Sequence, residues 1–190
     1  SKRHHHWPLT EKGDVRDFFM FRDIENVTFS GNGTVDGQGY MWWVREFLQR
    51  NPNGRPRMVY IRGGRNLEFA GIKWMNSPRM HLNVKDIDTM YMHDFEIYVD
   101  YKGQLELSKL LLGKDYSGIF GGINNMTLPM FPLNTDGLDI AGKDILVERL
   151  NITNFDDAVT VKASTQKNSY ATCSSNIVVR DCTINFGVGM

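Results

Sequence analysis

Cysteine is scarce in this chain of 190 residues, where Cys173 and Cys182 are the whole complement. A disulfide in an oxidising compartment or two buried thiols would both satisfy that pair, and the sequence does not choose between them. Neither sign of charge dominates. Lys+Arg and Asp+Glu stand at 22 each, which leaves no basic field to grip nucleic acid and no polybasic face for a membrane. No apolar run approaches the roughly 20 residues that a membrane-spanning helix needs. A dinucleotide fingerprint is missing too. Gly31-Asn32-Gly33-Thr34-Val35-Asp36-Gly37 has the glycines of a turn without the GxGxxG spacing or a following βαβ unit.

What is there is ordinary globular material. Hydrophobic residues make up 41% and charged residues 23%, enough apolar surface to build a core and too much for a disordered chain. The chain starts at Ser1, compatible with a leader lost upstream, and stops at Met190 directly after a strand-like run. We therefore expect residues 1–190 to be a single-domain fragment of a longer protein, incomplete at the C-terminus. Asn-X-Ser/Thr sites at Asn26, Asn32, Asn125 and Asn151 permit secretion, although a chain with Asn-rich turns produces such matches by chance. His4, His5 and His6 read as a solvated terminal run and receive no function.

An internal repeat carries the fold. Asn66 leads Leu67, Phe69, Ile72 and Trp74; Thr89 leads Met90, Met92, Phe95 and Ile97. Asp144 leads Ile145, Val147, Leu150 and Ile152; Asn176 leads Ile177, Val179, Cys182 and Ile184. Apolar residues thus fall at +1, +3, +6 and +8 each time. Asn26, with Val27, Phe29 and Val35, is a fifth copy with an extra Gly-Asn-Gly turn. A pair of apolar residues two apart is a short strand with one buried face, and the second pair is another strand beyond a bend. The copies are spaced 23, 55 and 32 residues apart from Asn66 to Asn176. One coil of about 20–25 residues with loops of variable length gives that pattern, as in an all-β parallel β-helix, a solenoid.

Two insertions interrupt the coils, near 39–57 and 101–131. Tyr40 to Phe47 reads as a short helix or aromatic loop, packed as a plug on the coils in preference to stacking on a sugar. The second has Gly118, Gly121, Gly122 and Pro129 to Pro132 for a surface crossing, with a helical turn at Leu105–Leu112.

Three carboxylates stand out against this frame. Asp136 lies in Asn134-Thr135-Asp136-Gly137, and Asp156-Asp157 follow after 20 and 21 residues, about one coil. Side chains one coil apart emerge side by side on neighbouring rungs, so the three should meet. Crowded carboxylates raise one another's proton affinity, and a protonated acid beside ionised partners is what glycoside hydrolysis uses. Single Asp residues also serve β-helix turns by bonding local backbone; Asp139 and Asp144 read that way.

The string Asn134-Thr135-Asp136-Gly137 with Asp156-Asp157 resembles glycoside hydrolase family 28, the polygalacturonases and their relatives. The likeness extends through Gly33 to Gly39, Trp42-Trp43, Arg55-Pro56, Asn76-Ser77-Pro78 and Lys162, over about residues 20–190. It implies a right-handed parallel β-helix that hydrolyses α-1,4 galacturonosyl links with inversion. By this resemblance Asp136 is the general acid and Asp156 with Asp157 activate the water. Asn134 and Lys162 contact substrate, and no metal or organic cofactor takes part. The implied partner is a pectic polysaccharide or oligosaccharide, and the implied protein a secreted, extracellular monomer.

One departure stands out. Where the family has Gly-His-Gly, this chain has Gly187-Val188-Gly189. Val188 cannot donate, accept or titrate, so a weakened or non-catalytic carbohydrate-binding β-helix is the alternative reading. A polysaccharide lyase of similar shape would need calcium-binding acids and a basic residue as proton acceptor, which this acidic grouping does not suggest.

Overall fold

The computed structural model describes residues 7–100, 102–103, 132–163 and 173–189. Strands β1 (Phe19–Ser30), β3 (Val59–Ala70), β5 (Leu82–His93), β7 (Leu138–Glu148) and β10 (Ser175–Arg180) form one parallel sheet in that order, and β9 (Val159–Val161) also pairs with β7. Strands β2 (Thr34–Asp36), β4 (Lys73–Met75), β6 (Glu96–Tyr98), β8 (Asn151–Thr153) and β11 (Thr183–Phe186) form the other sheet. Each pairing is parallel and joins one coil to the next. This is the β-helix that the repeat predicts.

The register reproduces the repeat position by position. Val27, Leu67, Met90, Ile145 and Ile177 align across five coils. So do Val35, Trp74, Ile97, Ile152 and Ile184 in the second sheet. These ladders form the core, and Phe69, Met92, Ile97 and Ile152 are wholly buried. Removing such area from water stabilises by about 25 cal/mol per Å².

The polar anchor of each repeat has a geometric reason. Asn26, Asn66, Thr89, Asp144 and Asn176 all sit in the left-handed region, with φ of 56°, 53°, 67°, 56° and 49°. Asn and Asp tolerate that conformation better than other side chains, so they mark where the coil turns. Their amides also join coils: Asn66 donates to Asn26 at 2.7 Å and Asn176 to Asp144 at 2.6 Å.

The long strands are bent, and their first halves make a further face that the repeat did not reveal. Val59, Leu82, Leu138 and Val159 align there pointing inward, while Tyr60, Asn83, Asp139 and Thr160 form the alternate column. The insertion near 39–57 contains helix α1 (Tyr40–Phe47), whose Tyr40, Trp43 and Val44 share one face at helical spacing and bury against Val99. Trp43 Nε1 donates to the Ser77 carbonyl at 3.0 Å, pinning this plug to the coils as expected. The insertion expected near 101–131, with Leu105–Leu112 and its glycines, lies almost wholly outside the described residues, as do His4, His5, His6 and Asn125.

Candidate active site

The carboxylates lie on the bends that lead into the first face. Gly137 N–H donates to the Asp157 carbonyl at 2.9 Å and Leu138 N–H to the Ala158 carbonyl at 2.9 Å, so Asp136 and Asp156-Asp157 occupy neighbouring rungs. A methyl on Gly137 would run into the Ala158 carbonyl, which is why glycine must follow Asp136. Oxygens from Asp136, Asp156 and Asp157 lie within 4.8 Å of one another, and among the described residues this is the one acidic grouping close enough to hold a metal ion.

The three carboxylates are held differently. Asp136 is 4% exposed. Burial, then the charges of Asp139 and Asp156, raise its pKa to about 6 against the opposing pull of its own backbone N–H and of Lys162. Asp156 accepts from the Asn134 backbone N–H and from the Asp157 N–H, both at 2.9 Å. Asp157 accepts from the Thr160 hydroxyl at 2.9 Å. One carboxyl is therefore kept dry beside two that are hydrogen-bonded as acceptors.

Around them stand residues that sequence reading missed or read differently. His81 is wholly buried on the rung below Asp136. Its backbone N–H and Nδ1 both reach the Asp136 carbonyl, at 2.9 and 3.0 Å, while its Nε2 accepts from Ser77 N–H at 3.3 Å. That pattern requires the neutral ring protonated on Nδ1, and burial lowers its pKa to about 4. Asp139 is not a turn residue: it lies inside β7, 1% exposed. Asn83 donates to it at 2.8 Å and Lys162 Nζ lies 3.3 Å away. Asp144, by contrast, does sit at a coil corner.

Asn134 and Lys162, expected to contact substrate, are both brought to the trio but are engaged within the protein. Asn134 is a left-handed residue (φ 58°) whose side-chain oxygen accepts from Arg55 Nη2 at 2.8 Å. Arg55 also donates to the Pro78 and Leu133 carbonyls, and its Nε lies 3.5 Å from Glu46 of α1. The aromatic insertion thus delivers a strut to the acidic site. Val188 lies on the rung beyond Asp156: its N–H donates to the Asp156 carbonyl at 2.9 Å, and the residue is 72% exposed.

A solenoid carrying a dry carboxyl beside two hydrogen-bonded ones has the constellation that two-carboxylate glycoside hydrolases use. Comparison makes the assignment specific: the chain belongs to the Glycosyl hydrolases family 28, whose sequence model matches residues 6–190. The match begins upstream of the stretch over which the motifs were recognised. A polygalacturonase of Cryptomeria japonica is 29% identical over 184 residues, covering 92% of this chain and 28% of that protein. A probable endo-xylogalacturonan hydrolase A of Aspergillus fumigatus is 27% identical over 174 residues, covering 90% and 34%. The polygalacturonase structure from Erwinia carotovora ssp. carotovora superposes with a TM-score of 0.65 at 22% identity, covering 95% of this chain and 42% of that one. The exopolygalacturonase of Thermotoga maritima gives 0.61 at 19% identity, covering 91% and 41%. These structural neighbours are right-handed parallel β-helices, and this chain shares their fold. The chain spans about a quarter to a third of the length of the curated relatives it matches.

Proposed function

We propose that the full-length protein hydrolyses α-1,4 galacturonosyl links in a pectin-type polysaccharide, outside the cell and as a monomer. The observation that carries this reading is the environment of Asp136, buried and holding its proton to about 6 beside two acceptor carboxylates within 4.8 Å. In this mechanism Asp136 gives its proton to the glycosidic oxygen as the bond to the anomeric carbon breaks. Asp156 and Asp157 orient a water and take its proton as it attacks. Lys162, with a 42% exposed side chain beside Asp139, supports the choice of an anionic substrate.

Family membership supports inversion, but the carboxyl oxygens are closer than the roughly 6.5–9.5 Å that separates ordinary inverting pairs. The resemblance to the family assigns the water to the pair Asp156 and Asp157. Proton NMR of the first-formed product checks this: the β anomer is expected, and the α anomer would indicate retention. The decisive assay is release of reducing ends from polygalacturonate, xylogalacturonan and rhamnogalacturonan. Asp136→Asn should lower the rate by at least about 10²-fold, and an unchanged rate would remove Asp136 from the acid role. Val188 favours a second reading, a carbohydrate-binding β-helix without turnover; binding of these substrates with no release by wild type would establish it.

A further inference from the structure

We propose that Asn154 is a positioning residue for the acidic trio, clamping the coil that carries Asp136 against the coil that carries Asp156 and Asp157. The proposal rests on the hydrolytic reading above. Asn154 directly follows β8, two residues before Asp156, and is wholly buried. The two hydrogens of its Nδ2 face three carbonyl oxygens, one of them shared: Asp157 at 2.8 Å, Asp156 at 2.9 Å and Thr135 at 3.2 Å. Three carbonyls can be met only by the NH₂ end of the amide, so its orientation follows from its partners.

Those acceptors bracket the acid. Thr135 C=O belongs to the peptide just before Asp136. The peptide just after it donates through Gly137 N–H to the Asp157 carbonyl, which Asn154 also holds. Both peptides flanking Asp136 therefore reach one side-chain amide, directly or through a single carbonyl. The Asp156 carbonyl accepts in addition from Val188 N–H, bringing in the next rung. Residues 134–137 and 154–158 are bends outside the long strands, apart from the single bridge at Asp157. Backbone hydrogen bonds join the rungs on the far side of Asp136, through Gly137 and Leu138, and the Asn154 amide adds the link to the peptide on its near side. The far end of the amide is packed too: a methyl on Gly187 would lie 2.6 Å from Asn154 Oδ1.

Without this clamp the Thr135–Asp136 peptide shifts from the Asp156 bend, water reaches Asp136, and its carboxyl loses its dry setting. Asn154→Ala should then lower kcat by about 10²-fold with KM within about twofold, since small displacements of reacting groups act on the chemical step. The alkaline limb of the kcat profile should move to lower pH. A residue that only supported folding would reduce the active fraction equally at every pH and leave the limb in place. Gly187→Ala keeps the amide but pushes on it, and should move the limb in the same direction.

A readout independent of turnover is the ¹³C carboxyl titration of Asp136 in full-length wild type, Asn154→Ala and Gly187→Ala. A lower midpoint in the variants sustains the proposal; a wild-type midpoint in folded Asn154→Ala overturns it. Should Asn154→Ala not fold, Gly187→Ala decides, and a wild-type midpoint there overturns the proposal. If wild type released no sugar, the hydrolytic reading would fall, while the titration would still decide whether Asn154 sets the spacing of the trio.

Discussion

At Asp136 two demands oppose each other, because the burial that makes a good acid also makes an unstable anion. The ordinary carboxyl value of 3.8 rises to about 6 in the folded protein, with burial as the largest cause. Between those values the native state holds a proton that the unfolded chain has released, so stability falls as pH rises through that window. Asp136→Asn should therefore match wild type below pH 4 and exceed it above pH 6 by about 2–3 kcal/mol, given 1.36 kcal/mol per pKa unit. Urea midpoints at pH 4 and 7.5 measure this. Turnover should follow the same proton: kcat of wild type declines as pH rises through about 6, since the acid must be protonated to act. A kcat that stays level from pH 5 to 8 would mean that another group gives the proton. His81 takes no part in that titration range, because burial keeps its ring neutral against the raising pull of the Asp136 carbonyl, and the Ser77 N–H needs an unprotonated Nε2.

The corners of the coils are the element-scale feature with a testable flaw. Four of the five aligned corner residues are Asn or Asp, but the third is Thr89 at φ 67°. A β-branched side chain is strained in the left-handed region. Thr89 also breaks the amide column, lying between Asn66 and Asp144 of the adjoining coils. Its hydroxyl instead donates to Asp88 at 3.1 Å. Thr89→Asn should relieve the strain and stabilise by about 1 kcal/mol, seen as a raised urea midpoint with an unchanged slope. A destabilised variant would show that the Asp88 hydrogen bond outweighs the backbone cost.

Across the whole molecule, charges on another seam tie successive coils. His93 bridges Asp94 at 2.7 Å and Glu68 at 3.0 Å; both ring nitrogens then donate, which requires the imidazolium. Burial disfavours that charge, but the two carboxylates outweigh it and raise the His93 pKa. Arg149 joins Asp94 to Glu148, and Tyr91, Arg149 and Arg180 together hold Glu148 down to about 2. A raised histidine contributes stability that is full below its unfolded value of 6.5 and disappears as pH rises through the folded value. A depressed Glu contributes stability that disappears only as pH falls through its folded value. With Asp136 adding to the alkaline loss, stability should be greatest in mildly acid solution. His93→Gln should lower the urea midpoint at pH 5.5 and leave it nearly unchanged at pH 9. Equal losses at both values would show that His93 acts by packing on Tyr91, its stacked neighbour at 3.9 Å, rather than by charge.

How much of this was legible in the residues follows from which interactions are local. The corner anchors and the +1, +3, +6 and +8 positions could be read directly, because each coil must turn and bury the same places as its neighbours. The approach of Asp136 to Asp156 and Asp157 could be read for the same reason, their separation being one coil. The first face was not read, although Val59, Leu82 and Leu138 recur at nearly the spacing of the corners, because its buried Asn83 and Asp139 interrupt the apolar pattern. The roles of Arg55, His81, Asp139 and Asn154 could not be read. Arg55 acts on Asn134 across 79 residues and His81 on Asp136 across 55, through contacts between coils separated by loops of unequal length. The sequence by itself determined the solenoid and where its carboxylates gather. Only the tertiary structure decided which carboxyl is dry and what holds it, because burial and cross-coil hydrogen bonds belong to the stacked coils and to no single segment.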